Sequence, residues 1–130
     1  MQHLHSVLLV DDDATTNFIN EYLLKSLGIA DNILVAHNGE EALTMLAEIK
    51  IPAGASPLLI LLDINMPVMN GIEFLEAYHP VPPALPIVVI VLTTTSHPAD
   101  LERIQKLSVA GLVVKPLTEA KMQAILDEHF

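Results

Sequence analysis

Short, uninterrupted apolar segments alternate with longer amphipathic segments along most of the chain. The apolar segments lie at residues 7–10, 33–36, 58–62, 87–92 and 112–114. Their continuous apolar character is typical of strands that are buried on both faces of a parallel sheet. A strict alternation of strands and helices calls for a parallel sheet with helices on both faces. The sequence therefore predicts an α/β fold in which five strands alternate with five helices.

Residues that favour helix ends mark the amphipathic segments. Asn38 and Asn70 each precede a glutamate by three residues, which is the arrangement of a capping box. Gly28 is a typical stop for the first helix, Pro98 suits the first turn of the fourth, and Thr118 is expected to cap the fifth. The apolar face of the first helix is predicted from side chains at helical spacing, namely Phe18, Ile19, Tyr22, Leu23 and Leu27.

Length and composition favour a single domain. The chain has 130 residues, of which 52% are hydrophobic and 17% are charged, and this is enough for a sizeable core. A proline-rich stretch at residues 80–86 is interpreted as a stiff linker before the fourth strand. We therefore expect one domain over residues 1–130, without an output domain.

Charge and residue content exclude several classes of function. The net charge of −10 repels nucleic-acid backbones and anionic lipid, so we expect no binding to DNA or RNA. The chain has no cysteine, which excludes disulfides, thiolate metal sites and cysteine nucleophiles. No signal peptide is recognisable, and the longest apolar run, residues 87–92, is too short to span a bilayer. We expect a cytoplasmic protein without membrane insertion.

Polar side chains follow four of the predicted strands at the point where each strand ends. Asp11 and Asp12 follow the first strand, Asp63 ends the third, Thr93 follows the fourth and Lys115 follows the fifth. Ligands of open parallel sheets bind at this edge, and carboxylates that crowd there favour a divalent cation such as Mg²⁺. Lys115 and Mg²⁺ would neutralise an incoming phosphoryl group, to which Thr93 would donate a hydrogen bond. Asp63 is the best candidate nucleophile.

Some polar residues near this edge have simpler interpretations. One of the three consecutive aspartates is expected in the first helical turn, and Asp13 is best placed for it. Thr94, Thr95 and Ser96 are more typical of loop hydroxyls, and His97 is more typical of a solvated loop histidine. The other histidines show no metal-ligand spacing.

Taken in order, these residues resemble the receiver domain of two-component response regulators. The signatures are Asp11-Asp12, the segment Asp-Ile-Asn-Met-Pro-Val-Met-Asn-Gly at residues 63–71, Thr93, and Lys115-Pro116. The resemblance covers nearly the whole chain, and the four signatures together are highly specific. It implies a doubly wound, flavodoxin-like sheet with the strand order 2-1-3-4-5, and a cis peptide bond before Pro116.

The resemblance also assigns roles to individual residues. Asp63 would be the phosphoacceptor, Thr93 and Lys115 would contact the phosphoryl oxygens, and Thr93 would act as the switch hydroxyl. The implied Mg²⁺ ligands are Asp12 directly, Asp11 through water, Asp63, and the backbone carbonyl of Asn65. The phosphoryl donor would be a sensor histidine kinase or a histidine phosphotransfer protein. The signal would pass to an unidentified downstream protein by direct contact.

One position departs from the family pattern. Leu112 stands three residues before Lys115, where the family often has a tyrosine or phenylalanine that moves together with the switch threonine. Phosphorylation is expected to survive this change, because the aromatic ring is not in the site, whereas the output signal is expected to travel differently. By family analogy, the partner face comprises residues 99–108, 112–114 and 118–129.

Two other functions remain as alternatives. A Mg²⁺-dependent phosphatase that forms an aspartyl phosphate usually needs an acid two residues after its nucleophile, and this chain has Asn65 there. A receiver that is never phosphorylated and serves only as an interaction module would have a damaged acid site, whereas all five site positions are present. We therefore favour a response regulator that catalyses only its own phosphorylation and dephosphorylation, rather than an enzyme with other substrates.

Overall fold

The computed structural model describes residues 3–52, 54–78, 87–94, 98–107 and 109–130. The strands are β1 (Leu4–Val10), β2 (Ala30–Ala36), β3 (Leu58–Asp63), β4 (Ile87–Thr93) and β5 (Gly111–Val114). The helices are α1 (Ala14–Leu27), α2 (Gly39–Glu48), α3 (Gly71–Ala77), α4 (Pro98–Gln105) and α5 (Glu119–His129). The predicted alternation is confirmed, and the predicted linker at residues 80–86 lies outside the described residues.

All neighbouring strands of the sheet pair in parallel. Their order is β2-β1-β3-β4-β5, which confirms the doubly wound arrangement. Strand β3 lies at the centre and is buried along its whole length. The chain reverses direction of winding at β1, so the carboxyl ends of β1 and β3 frame the position where such sheets bind ligands.

Two apolar layers cover the two faces of the sheet. Because successive side chains of a strand point to opposite faces, Leu9 packs into one core cluster and Leu8 into the other. The first cluster includes Leu24 of α1 and Met122 of α5, and the second includes Phe74 of α3. The sheet is therefore closed on both faces, and polar groups collect at the strand ends.

Helix α1 turns a different face to the core from the one predicted. Leu23 and Leu27 do pack against the core, but Phe18, Ile19 and Tyr22 are exposed by 72%, 55% and 68%. The side chains that this helix buries are Asn17, Asn20 and Leu24. Polar contacts at the start of the helix, such as the bond from Asn17 to Asp11, favour this rotation, and the apolar side chains of Phe18, Ile19 and Tyr22 face solvent.

The helix ends follow the sequence signals closely. The capping side chains of α1, α2, α3 and α5 are Asp13, Asn38, Asn70 and Thr118. Glu73 completes the capping box of α3, whereas the Glu41 carboxylate accepts from the His37 backbone N–H instead of completing the predicted box of α2. Gly28 ends α1 in the left-handed conformation, with φ 62°, and α4 begins at Pro98.

The helices are short. Helix α1 has 14 residues and is the longest in the described part of the chain. None of the helices within the described ranges combines the length and the apolar character that a bilayer crossing requires.

Candidate functional site

Two buried carboxylates stand side by side at the carboxyl edge of the sheet. Val10 pairs with Leu62 in the register of β1 and β3, so the residues that follow them, Asp11 and Asp63, are neighbours across the strands. Both side chains are buried. Two acids in a buried position repel each other, and each disfavours ionisation of the other unless positive charge is near.

Asp12 adds a third carboxylate to this edge. One oxygen from each of Asp11, Asp12 and Asp63 lies within 4.8 Å of the other two. Asp12 is exposed, so the cluster opens to solvent on its side. The cluster therefore offers oxygen donors close enough together to share one small cation.

Lys115 lies between the two buried carboxylates. Its Nζ donates a hydrogen bond to Asp11 Oδ2 at 2.8 Å and lies 3.3 Å from Asp63 Oδ1. The backbone N–H of Lys115 donates to the Thr93 carbonyl at 2.9 Å, which fixes the lysine beside the end of β4. One ammonium thus contacts two buried carboxylates, and Asp12 adds a third acid to the same cluster.

The pKa values of Asp63 and Lys115 reflect this arrangement. Burial raises the pKa of Asp63, and the Asp11 carboxylate raises it further, while Lys115 and the Asn65 backbone N–H offset only part of the rise. Burial lowers the pKa of Lys115, but its contacts with Asp11 and Asp63 outweigh burial and raise the pKa overall. Lys115 therefore stays protonated, and ionised Asp63 is short of positive charge.

The turn from β1 to α1 is held by side chains. The Asp13 N–H donates to Asp11 Oδ1 at 2.9 Å, and Asn17 Nδ2 donates to the Asp11 carbonyl at 2.8 Å. Asp13 caps α1 by accepting from the Thr15 N–H and the Thr16 hydroxyl, and the Thr16 bond lowers the pKa of Asp13. Asp13 was predicted in the first helical turn, and the structure places it one position earlier, as the N-cap residue, with no acidic residue in the first turn of α1. The Asp12 carboxylate is exposed.

The loop from β3 to α3 folds back against the backbone of Asp63. The Gly71 N–H donates to the Ile64 carbonyl at 2.8 Å. A Cβ at Gly71 would lie 2.4 Å from the Asp63 carbonyl oxygen and 2.9 Å from Ile64 Cα. Glycine is therefore required there by close approach, and the loop keeps Asn65 beside Asp63.

Val68 at the tip of this loop has a strained backbone. Its φ is 66°, and the Met69 N–H donates to the Pro67 carbonyl at 2.7 Å across it, as in a γ-turn. A β-branched residue in this left-handed region is an outlier. The Val68 side chain is largely exposed, so packing does little to offset the strain.

The loop from β5 to α5 is tied to the last helix. The peptide bond between Lys115 and Pro116 is cis, as the family resemblance implies. Lys121 Nζ donates to the carbonyls of Val114 and Pro116 at 2.7 and 3.0 Å. Lys121 thereby connects α5 to the two residues that flank Lys115.

A groove beside the acid cluster leads to the exposed face of α1. Ile19 of α1 lines it together with Thr94, Lys115 and Leu117, and its volume is about 320 Å³. Thr93 is buried at the end of β4, and Thr94 is exposed. The other hydroxyl and histidine positions considered from the sequence, Thr95, Ser96 and His97, lie outside the described residues.

The structure gathers the predicted site residues at one edge. Asp11, Asp12, Asp63 and Lys115 are in mutual proximity, with Thr93 and Asn65 on the adjoining strand end and loop. The sequence interpretation missed the supporting residues Asn17 and Lys121, and it included Gly71 in the signature at residues 63–71 without assigning it a structural role. An Asn-Gly pair before a helix could have pointed to Gly71, whereas nothing in the local sequence distinguishes Asn17 or Lys121.

Comparison with known proteins identifies a family that spans nearly the whole chain. The family described as the response regulator receiver domain matches residues 7–127. The chain is 32% identical over 124 residues to a probable chemotaxis protein CheY of Rhizobium etli, and the match covers 95% of this chain and 91% of that protein.

Other relatives include a longer protein and one of similar length. The transcriptional regulatory protein CpxR of Escherichia coli (strain K12) is 33% identical over 132 residues, a match that covers 95% of this chain but 50% of CpxR. A solved two-component response regulator from Legionella pneumophila has 31% identity and a TM-score of 0.78, with 94% of this chain and 95% of that chain covered. The chain belongs to the response regulator receiver domain family.

Proposed function

We propose that this receiver domain accepts a phosphoryl group on Asp63 from a phosphohistidine and then signals by contact with another protein. The observation that carries the proposal is the position of Asp63, which is buried beside Asp11 and lies 3.3 Å from Lys115 Nζ. A carboxylate there can be approached from the open side of the cluster, and the Lys115 ammonium already lies where the negative charge of the phosphoryl group would arrive.

The proposed reaction is a direct transfer between two protein side chains. A carboxylate oxygen of Asp63 attacks the phosphorus atom, a P–O bond forms, and the P–N bond to the donor imidazole breaks. The imidazole keeps the bonding electron pair and then takes up a proton from solvent. Attack of water on the phosphorus later releases inorganic phosphate and regenerates the Asp63 carboxylate. Catalysis rests on positioning and on charge.

Lys115 and Thr93 are proposed to hold the phosphoryl oxygens. The Lys115 ammonium is already directed at Asp63 and can donate to an oxygen of the bound group. Thr93 stands on the neighbouring strand end, where the Lys115 N–H binds its carbonyl. Lys115 and Thr93 would therefore shift toward the phosphoryl group once it is bound to Asp63. The shift of Thr93 would transmit the phosphorylation state to the rest of the domain.

The acid cluster has the donors that Mg²⁺ prefers. Receiver domains bind Mg²⁺ at an acidic pocket, and the three carboxylates here offer oxygens within 4.8 Å of one another. The proposed ligands are Asp11, Asp12, Asp63 and the backbone carbonyl of Asn65. When bound, Mg²⁺ would supply positive charge to the phosphoryl oxygens.

The donor protein is proposed to dock on α1. Phe18, Ile19 and Tyr22 form an exposed apolar cluster on one face of this helix, and Ile19 borders the groove that reaches Lys115. A phosphohistidine must approach Asp63 from this opening, so its carrier has to cover the surface around it. An apolar helix face of a sensor histidine kinase or a histidine phosphotransfer protein fits that surface.

The downstream partner is proposed to bind around β5 and α5. Leu112 and Val114 are exposed apolar side chains, and both lie on β5, the strand that leads directly into Lys115. Leu112 stands where the family often has an aromatic ring. We infer that the state of Thr93 is transmitted through the β4–β5 pairing, in which Thr93 faces Val114.

The two alternative functions have less support from the site. A phosphatase would need an acid at the position of Asn65, which has no proton to give to a leaving group. An interaction module without phosphorylation would not need a lysine held 2.8 Å from one buried acid and 3.3 Å from another.

The proposal is tested by phosphorylation with phosphoramidate, which contains a P–N bond like that of phosphohistidine. The intact mass is measured with and without Mg²⁺, and Asp63→Asn serves as the control. We expect a Mg²⁺-dependent gain of one phosphoryl group that is absent in the variant. A folded wild-type protein that binds Mg²⁺ and gains no mass would favour the interaction module instead.

A further inference from the structure

Helix α1 buries two carboxamide side chains on the face that packs against the sheet. Asn17 is 5% exposed and Asn20 is 6% exposed. A buried polar group costs free energy unless a hydrogen bond compensates for the lost water. Asn17 makes such a bond to the Asp11 carbonyl, whereas Asn20 makes no hydrogen bond to Asp11 among the described residues.

Asn17 acts on the turn through its donor alone. Its Nδ2 donates to the Asp11 carbonyl at 2.8 Å, and its backbone N–H donates to the Asp13 carbonyl at 3.0 Å. Its Oδ1 is buried and has no partner within the described part of the chain. The side chain thus bonds directly to the residue that precedes the exposed acid of the cluster.

Every hydrogen-bonding group of Asp11 is bound by a neighbour. Its N–H donates to the Ala36 carbonyl at 3.1 Å, and its carbonyl accepts from Asn17. Its two carboxylate oxygens accept from the Asp13 N–H and from Lys115 Nζ. Loss of the Asn17 contact would leave the Asp11 carbonyl without a hydrogen bond and free the peptide unit between Asp11 and Asp12 to rotate. The Asp12 carboxylate would then move relative to that of Asp11.

We propose that Asn17 is a positioning residue of this site, which holds Asp11 and Asp12 at the spacing that binds Mg²⁺. The proposal rests on the proposed function, because it takes the acid cluster as the Mg²⁺ site. Residues that orient metal ligands without touching the metal commonly change metal affinity by about 10- to 100-fold when they are replaced.

The variant Asn17→Leu can distinguish a role in positioning the metal ligands from a role in folding stability. Asn17→Leu removes the Asn17 Oδ1 atom, a buried acceptor that has no partner among the described residues. It also leaves the Asp11 carbonyl without the hydrogen bond from Asn17. These effects oppose each other in the free energy of unfolding, so we expect an unfolding temperature close to that of the wild type. Asn20→Leu is the matched control, since it makes the same change on the same helix face.

The test compares the wild type, Asn17→Leu and Asn20→Leu by Mg²⁺ titration calorimetry, thermal unfolding and hydrogen exchange. For Asn17→Leu we expect a Kd for Mg²⁺ that is about 10-fold higher, and faster exchange of the Asp13 amide, which is bonded to Asp11. For Asn20→Leu we expect both quantities to match the wild type. If a leucine variant does not fold, the pair Asn17→Ala and Asn20→Ala gives the same comparison.

Two results would overturn the proposal. One is an unchanged Mg²⁺ affinity in the folded Asn17 variant, and the other is an equal loss in the variants of Asn17 and Asn20. A wild-type protein that binds no Mg²⁺ would refute the proposed metal site itself. The exchange rate of the Asp13 amide would then still decide whether Asn17 fixes the turn.

Discussion

Replacing Lys115 by methionine removes the ammonium that lies between Asp11 and Asp63. Loss of one partner of a buried ion pair costs about 3–5 kcal/mol. The Lys115 side chain is 18% exposed, and solvent there weakens the interaction, so we expect the lower end, about 3 kcal/mol at neutral pH. For a domain of 130 residues, this corresponds to a fall in Tm of about 10 °C.

The stability lost in Lys115→Met should decrease as the pH falls. The pKa of Asp63 is already raised by burial and by Asp11, and Lys115 opposes that rise, so its removal raises the pKa further. Ionised Asp63 then destabilises the fold at any pH above its folded-state pKa. This penalty disappears as the pH falls toward the ordinary Asp pKa of 3.8, where the unfolded state also binds the proton. The difference from the wild type should therefore shrink with acidification.

Urea unfolding followed by circular dichroism, at about pH 7 and about pH 4.5, measures this difference. Lys25→Met is the matched control, because Lys25 Nζ lies 3.0 Å from Glu21 on the surface and its side chain is 65% exposed. Exposed pairs of this kind contribute less than about 1 kcal/mol. The reasoning is refuted if Lys115→Met is as stable as Lys25→Met at neutral pH. It is also refuted if the free energy of unfolding of Lys115→Met differs from that of the wild type by the same amount at both pH values.

Three further predictions concern the loop after β3 and the surface of α1. Gly71→Ala places a Cβ 2.4 Å from the Asp63 carbonyl oxygen, so the loop must shift, and we expect a loss of about 1–3 kcal/mol in urea unfolding together with slower phosphorylation. Val68→Asn relieves the strain at φ 66°, because asparagine tolerates this conformation, and should add about 1 kcal/mol to the free energy of unfolding. Phe18→Ser combined with Tyr22→Ser should slow transfer from a phosphorylated protein donor more than it slows phosphorylation by phosphoramidate, as measured by the ratio of the two rates.

Each of these predictions has a contrasting outcome. Gly111→Ala is the control for Gly71, since its Cβ would meet only side-chain atoms, Ile90 Cδ1 at 3.3 Å and His129 Nε2 at 3.7 Å. Equal losses in the two variants would argue against a special requirement at Gly71. An unchanged or lower stability of Val68→Asn would show that the turn is not strained. Equal slowing with both donors would show that the apolar cluster of α1 does not bind the donor protein.

The fold and the polar edge could be predicted because both depend on local sequence signals. Continuous apolar segments identify buried parallel strands, and the residues that follow Val10 and Leu62 necessarily meet once those strands pair. The family signatures then fixed the strand order, which periodicity alone does not determine. Helix caps such as Asn70 and Thr118 could also be predicted, because each capping side chain bonds to a backbone N–H only three residues along the chain.

The orientation of α1 could not be predicted, because tertiary contacts decide it. Apolar spacing favoured the face with Phe18 and Tyr22, whereas the bond from Asn17 to Asp11 and the burial of Leu24 turn that face to solvent. The bond between Lys115 and Asp11 spans 104 positions, and only the folded sheet brings its partners together. The sequence could place both residues at the edge but could not show that the lysine binds Asp11 more closely than Asp63.

The most direct test of the central claim is to locate the phosphoryl group. After incubation with phosphoramidate and Mg²⁺, borohydride reduces an aspartyl phosphate to homoserine, and peptide mass spectrometry then identifies the reduced position. We predict homoserine at position 63 and at neither of the neighbouring acids, Asp11 and Asp12. Reduction at Asp11 or Asp12, or phosphate found on a histidine or hydroxyl side chain with position 63 unchanged, would contradict the assignment of Asp63 as the phosphoacceptor.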